Sequence, residues 1–237
     1  MCDTITMVTA KIRSCETASY REQVARWPRE GRHIMAHYDD DSIIVYQAYR
    51  PSIGDYAAEH QRFGGDWSFS RMSWIKPNFL WMMYRCGWGE KSGQEVVLAI
   101  RLDRRGFDEF LADSVHSSYD ADAYGSQAAW RGRVAASSVR LQWDPDHDPK
   151  GEKVARRAVQ LGLRGASLRD YATRWCRGVE DISGFVREQG QLVRAGALDK
   201  LETPSERVYP VDDPAVAGHL GITPWKGCLR AAGAPRP

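Results

Sequence analysis

No run of eighteen or more apolar residues occurs in this sequence, so a membrane-spanning helix is not expected. The opening segment, MCDTITMVTAKIRSCETASYRE, lacks the apolar stretch of an export signal. Cysteine is sparse: Cys2, Cys15, Cys86, Cys176 and Cys228 are odd in number, scattered and free of any Cys-x-x-Cys pair, which implies neither a disulfide framework nor a zinc site. Together these absences predict a cytoplasmic protein. Net charge is also nearly absent, at +2, which argues against a protein that coats polyanions and leaves room for a local basic site. Lysine is scarce beside arginine, 7 against 26, a bias that codon composition explains as readily as phosphate binding. Signature motifs are missing as well. No P-loop, no GxGxxG after a strand, no HExxH, no GxSxG and no KxDG is present, which removes the common phosphate-loop, dinucleotide, zincin, hydrolase and lysine nucleotidyl-transfer signatures.

What the chain does have is aromatic surface. Hydrophobic residues make up 43% and aromatics 11%, enough for a sizeable core. Four tryptophans, Trp67, Trp74, Trp81 and Trp88, recur every seven residues in a stretch that also carries Arg71, Lys76, Arg85 and Lys91. Indole faces interleaved with cations form surfaces that stack on bases or nicotinamide and hold phosphates. A packed core with solvated charges is the competing reading.

The coarse reading along the chain is α+β. A helix capped by Thr17 or Ser19 runs to Trp27 and ends at Pro28. SIIVYQAY, residues 42–49, reads as a buried strand closed by Pro51, and residues 52–62 form a helix that Gly64 and Gly65 break. RMSWI is a short strand. After Pro77 a helix, NFLWMMYRC, stops at Gly87, with Asn78, Trp81, Arg85 and Trp88 on one face and Phe79, Met82, Met83 and Cys86 on the other. EVVLAIRL at 95–102 is a strand followed by a helix, GFDEFLAD; further strands are SVRLQW at 138–143 and the run 157–163. SLRDYATRWCRGVEDISGFVREQGQLVRAG reads as one long helix interrupted at Gly178 or Gly184. Strands and helices do not alternate as in a doubly wound sheet, so a mixed or antiparallel central sheet is expected. Residues 1–16 are expected to be a flexible arm, 17–202 one domain, and 203–237 an irregular tail.

Two strand glutamines stand out. Strand alternation places Gln47 and Tyr49 opposite Tyr46 and Ala48. An amide in an apolar strand is costly to bury unless fully bonded, so Gln47 and Gln160 either anchor a neighbouring segment or read a ligand. DPDHDP, residues 144–149, offers Asp144, Asp146, His147 and Asp148 but reads as an Asx-type turn, and its spacing does not meet the calcium-loop pattern. Glu180 and Asp181 read by default as a solvated face. His37, His60, His116 and His219 lack partners at motif spacing.

The strings DDDSIIVYQAYRPSIGDYAAEHQRF, FSRMSWIKPNFLWMMYRCGWGEKSGQEVVLAIRL, VRLQWDPDHD and AVQLGL, in this order, resemble the bacterial and fungal family catalogued as domain of unknown function 4291, over roughly residues 30 to 195. An architectural resemblance to the ADP-ribosyltransferases is weaker. That plan implies a polar residue on a first strand against the nicotinamide ribose, an aromatic stacking wall, and Glu or Gln on a late strand. Laid on it, Gln47 takes the first role and the Trp74–Trp81 segment the second, flanked by Tyr46 and Tyr49, while Gln160 takes the third. Arg71, Lys76 and Arg85 become pyrophosphate clamps. A glutamine brings no charge to the late strand, so Glu180 has to reach in if the chemistry needs a carboxylate. The resemblance thus implies an ADP-ribosyltransferase-like enzyme using NAD, with a nucleic acid, nucleotide or small molecule as acceptor. The alternative is a non-catalytic nucleic-acid or nucleotide binder with the same aromatics and cations.

Overall fold

The computed structural model describes residues 12–225. Strand β1 (Thr17–Ser19) runs directly into helix α1 (Tyr20–Val24), where one capped helix was expected. Ser19 makes no side-chain cap bond, and its strand pairs antiparallel with β11 (Glu202–Pro204). Short strands β2 (Gly31–Arg32) and β3 (Met35–Ala36) precede β4 (Ser42–Tyr49). Pro51 opens helix α2 (Pro51–His60), and its fixed φ and missing N–H suit a first helical turn. Strand β5 (Ser73–Ile75) is followed by helix α3 (Phe79–Cys86). The Asn78 side chain accepts from the Trp81 N–H and Gly87 closes the helix at φ +59°, a conformation glycine adopts without a Cβ clash.

Strand β6 (Val96–Asp103) leads to helix α4 (Arg104–Ala112), strand β7 (Ser114–His116) and the exposed helices α5 (Ala121–Tyr124) and α6 (Gln127–Ala136). Strands β8 (Val139–His147) and β9 (Lys153–Leu163) form the longest hairpin. Of the turn expected at DPDHDP, residues 144–147 lie instead in β8; the chain reverses at Asp148–Gly151, where the Asp148 carboxylate accepts from the Lys150 and Glu152 amides. The long helix expected after Gly165 is three elements: helix α7 (Gly165–Asp170) continued by a wide π-type turn at Tyr171–Trp175, strand β10 (Cys176–Asp181), and helix α8 (Ser183–Arg194). β10 wins because it pairs antiparallel along β6, with a bulge at Cys176–Gly178. The expected irregular tail is also ordered in part, since β11, β12 (Arg207–Val208) and α9 (Pro214–Leu220) pack onto the domain. Of the expected arm, residues 1–11 lie outside the described residues, while Ile12 and Cys15 are buried in the core.

Among the described residues two sheets carry the fold. One, ordered β10-β6-β4, is antiparallel; the other, ordered β2-β9-β8-β7 with β5 also on β9, mixes antiparallel pairs with the parallel pairs β2/β9 and β7/β8. The α+β class with mixed and antiparallel sheets is therefore observed. β4 is buried on both faces, which explains its unbroken apolar run. Ile43 and Val45 face a core shared with Leu98, Ile100, Leu141, Leu161 and the π-turn residue Tyr171; Ile44 and Tyr46 face a second core with Phe79, Met83 and Val186. Each such fully buried aliphatic side chain contributes about 1.5–3 kcal/mol.

Besides the core they share, the two sheets are joined by one backbone bridge among the described residues, between β4 and the exit of β5. Tyr46 and Lys76 exchange backbone hydrogen bonds, Tyr46 N to Lys76 O at 2.7 Å and Lys76 N to Tyr46 O at 3.3 Å, with no further ladder between these strands among the described residues. Beyond that bridge β4 and β5 part, and a cleft opens between them.

Candidate functional site

The cleft has a volume of about 760 Å³, in the range of small-molecule sites. β4 supplies Gln47 and Tyr49, the loop after α2 supplies Trp67 and Arg71, β5 and its exit supply Trp74 and Lys76, α3 supplies Trp81 and Arg85, and the β8/β9 hairpin supplies Gln142, Asp144 and Gln160. Eight of the residues singled out from the sequence therefore converge: Gln47, Tyr49, Arg71, Trp74, Lys76, Trp81, Arg85 and Gln160.

Two do not. Tyr46 points to the opposite face of β4, fully buried against Phe79 at 5.5 Å, because neighbouring strand residues alternate. Glu180 lies on β10, at the far edge of the three-stranded sheet, where its carboxylate accepts from the Arg13 and Ser14 amides at 2.8 and 2.6 Å. It ties the N-terminal segment down and cannot supply the cleft with a carboxylate.

Gln47 bridges the split. Its Nε2 donates to Ser73 Oγ at 2.8 Å and to the Trp74 carbonyl at 3.2 Å, and its Oε1 accepts from the Tyr171 hydroxyl at 2.6 Å. Both amide hydrogens are used, so of the two readings of this residue the geometry supports the anchor. Tyr49 is fixed likewise, its hydroxyl bonded to Ser73 Oγ and to Trp67 Nε1 at 3.0 Å each.

The opposite wall is a carboxylate held by two amides. Gln142 and Gln160 are cross-strand partners, and their Nε2 atoms donate to the two oxygens of Asp144 at 2.8 and 2.7 Å. Asp144 is half-buried and forms no ion pair among the described residues. The register shift between Pro145 and His147 separates it from the rest of DPDHDP: Asp146 is fully buried in an ion pair with Arg156 at 2.6 Å, and His147 stacks on Tyr84 at 3.6 Å. Sequence reasoning missed Asp144 by taking DPDHDP for a turn, and passed over Gln142 although it lies in the strand read at 138–143. The alternation of Gln142 and Asp144, set against Gln160 across the hairpin, is the signal that finds them.

Lys76 lies at the cleft floor with only 7% of its surface exposed. Its ammonium has one long contact, to the Trp74 carbonyl at 3.4 Å, and no carboxylate within ion-pair distance among the described residues. Burial, and then the Arg85 guanidinium, pull its pKa down to about 8, while Asp144 works in the other direction. Arg71 and Arg85 are exposed at the rim and have no ion-pair partner among the described residues, whereas Arg50 is matched to Asp66 at 3.1 Å. Trp74 lies against the backbone of Gly162 on β9, where a Cβ would come within 3.0 Å of the indole. Trp81 stacks with Tyr84 at 5.4 Å and with His147 at 5.3 Å, and its buried Nε1 has no partner. Trp88, the fourth of the series, turns away and donates to the Pro149 carbonyl.

The geometry defines a protein with a cation-rimmed cleft at the parting of two sheets, of small-molecule size. The chain belongs to the family described as Domain of unknown function (DUF4291), whose model matches residues 33–209. The match ends at Tyr209, beyond the segment from which the resemblance was drawn. No curated protein matches the chain significantly. Among the described residues no helix is long and apolar enough to cross a membrane, and no group of three His, Cys, Asp or Glu side chains could hold a metal ion.

Proposed function

We propose that the cleft binds NAD as a substrate and that the protein is an ADP-ribosyltransferase-like enzyme. One observation carries this reading: a carboxylate, Asp144, and an ammonium, Lys76, neither in an ion pair among the described residues, face the same nucleotide-sized space. A buried ammonium without an ion pair, as at Lys76, costs stability. Both groups are answered by a ligand that is anionic at one end and develops positive charge at the other.

Lys76, Arg71 and Arg85 hold the pyrophosphate, and the half-buried Trp74 presents a stacking face to a ring system, with Trp81 buried behind the wall. Asp144 faces the anomeric carbon, where positive charge develops as the glycosidic bond lengthens. That bond breaks with its electron pair leaving on nicotinamide. The acceptor's oxygen or nitrogen forms the new bond to the same carbon, and its proton passes to Asp144. Gln160 and Gln142 orient Asp144, so the carboxylate that Glu180 was expected to bring comes from the neighbouring strand. The free thiols Cys15, Cys86 and Cys176 suit the cytoplasmic setting that is part of this reading.

The test is calorimetric titration with NAD, with nicotinamide release followed in the same samples. Lys76→Met is expected to weaken NAD binding by about tenfold or more. Asp144→Asn is expected to leave affinity within about threefold but to slow nicotinamide release by roughly 100-fold, as for a group acting on developing charge. Affinity is expected to fall as pH rises through about 8, where the Lys76 ammonium loses its proton. Absence of NAD binding overturns the reading. Salt-dependent oligonucleotide binding confined to the cleft would then assign its wall to nucleic acid.

A further inference from the structure

A second cavity, of about 570 Å³, lies on the far side of the loop that walls the cleft. The loop is shared: Ser68 and Arg71 line the cleft, while Phe69 and Ser70 line the second cavity. Its other walls are the C-terminal end of α6 and the start of α7, including Ala136, Ser138, Arg164 and Arg169. No aspartate or glutamate lines it.

Positive charge accumulates here, met by helix-end carbonyls and by no carboxylate among the described residues. Arg164 donates to the carbonyls of Val134 and Ser137 at 3.2 and 3.0 Å, and Arg140 donates to the same two carbonyls. Two guanidinium groups thus share the α6 terminus, one of them, Arg140, only 7% exposed. Neither has a carboxylate partner among the described residues, and burial, then the neighbouring Arg164 guanidinium, lowers the pKa of Arg140. Arg169 is exposed at the opening and also lacks an ion-pair partner among the described residues. Beside these cations stands Phe69, a large apolar side chain left 38% exposed, its ring meeting Trp67 at 4.8 Å and 87°.

We propose that this groove binds single-stranded nucleic acid and presents it to the cleft as the acceptor. The acceptor role rests on the transferase reading; the binding does not. An open aromatic beside arginines that lack carboxylate partners among the described residues matches alternating bases and phosphates, the ring stacking a base and Arg164 and Arg169 meeting the backbone. The shared loop gives the strand a path of a few residues from groove to cleft.

The experiment is fluorescence anisotropy of a fluorescein-labelled oligouridylate of about twelve nucleotides with the full chain, within the usual span of single-strand sites. Binding is expected to weaken with salt at a logarithmic slope of about −1.4, from two phosphate contacts at roughly 0.7 each. Phe69→Ala is expected to weaken binding at least about fivefold. Arg169→Gln is expected to lower affinity and reduce the slope by about 0.7. Both side chains are exposed, so unchanged melting curves and unchanged NAD titration are expected of the two variants. The proposal is overturned if the probe does not bind, if both variants bind it as the parent does, or if a phosphoserine peptide displaces it better than unlabelled oligouridylate. Oligonucleotide binding without NAD binding removes the transferase reading and leaves the groove assigned.

Discussion

At the scale of single residues, polar side chains inside strands divide by whether their bonds are filled. Gln47 is filled: it joins Ser73, Trp74 and Tyr171 across the split. Gln47→Leu keeps the volume and strands the buried Tyr171 hydroxyl, so a loss of about 1–3 kcal/mol is expected in urea denaturation. A loss of NAD affinity with stability unchanged would instead assign Gln47 to the ligand. The sequence showed that Gln47 needed partners without showing which, because Ser73 and Tyr171 lie 26 and 124 residues away. Asp144 was illegible for a different reason. Two prolines and three aspartates are strong local turn signals, and the long pairing with β9 overrides them.

Elements were legible where their ends carry local chemistry. α3 follows from Asn78 and Gly87, and β4 from its β-branched run. β10 was not legible, because CRGVED has little strand character and takes that form only against β6. The seven-residue tryptophan period is likewise no property of one element: Trp67 sits in a loop, Trp74 on β5 and Trp81 on α3, and the fold brings these three to one cleft. Close approach between elements leaves its own trace. On α4, Gly106 lies against Trp175, and a Cβ there would stand 2.3 Å from the indole Cγ. Alanine raises helix propensity by up to about 1 kcal/mol, yet overpacking costs about 1–3 kcal/mol. Gly106→Ala is therefore expected to lower the denaturation midpoint. An unchanged or raised midpoint would show that the π-type turn carrying Trp175 yields freely.

At the scale of the whole molecule, buried titratable groups give stability two opposed dependences on pH. Burial holds the pKa of His33, His37, His116 and His147 below the ordinary 6.5, so their contribution is present above that value and lost as pH falls through the folded-state values. Glu206, fully buried with Asp146 and Arg156 nearby and one oxygen accepting from the Phe79 amide, has its pKa pushed well above 4.5 by desolvation. Its contribution is complete below 4.5 and lost as pH rises through the folded value. Glu206→Gln removes that loss. Compared with the parent, the variant is expected to gain stability at pH 8 relative to pH 5, and its own profile to fall steadily below 6.5. Denaturation midpoints at the two values check this, and equal differences for both proteins would remove Glu206 from the account. The order in the C-terminal segment belongs to this scale too, since β11 and β12 find their partners in the first forty residues of the chain. Nothing local to Thr203–Leu220 announces those partners.

The seam between the sheets has a thermodynamic corollary. Lys76 provides through its backbone the bridge to Tyr46 and through its side chain the charge at the cleft floor. An anion that settles on that ammonium binds the joined sheets and not the parted ones, so it acts as a rivet. Each increment of ligand affinity is returned as resistance of the two halves to coming apart.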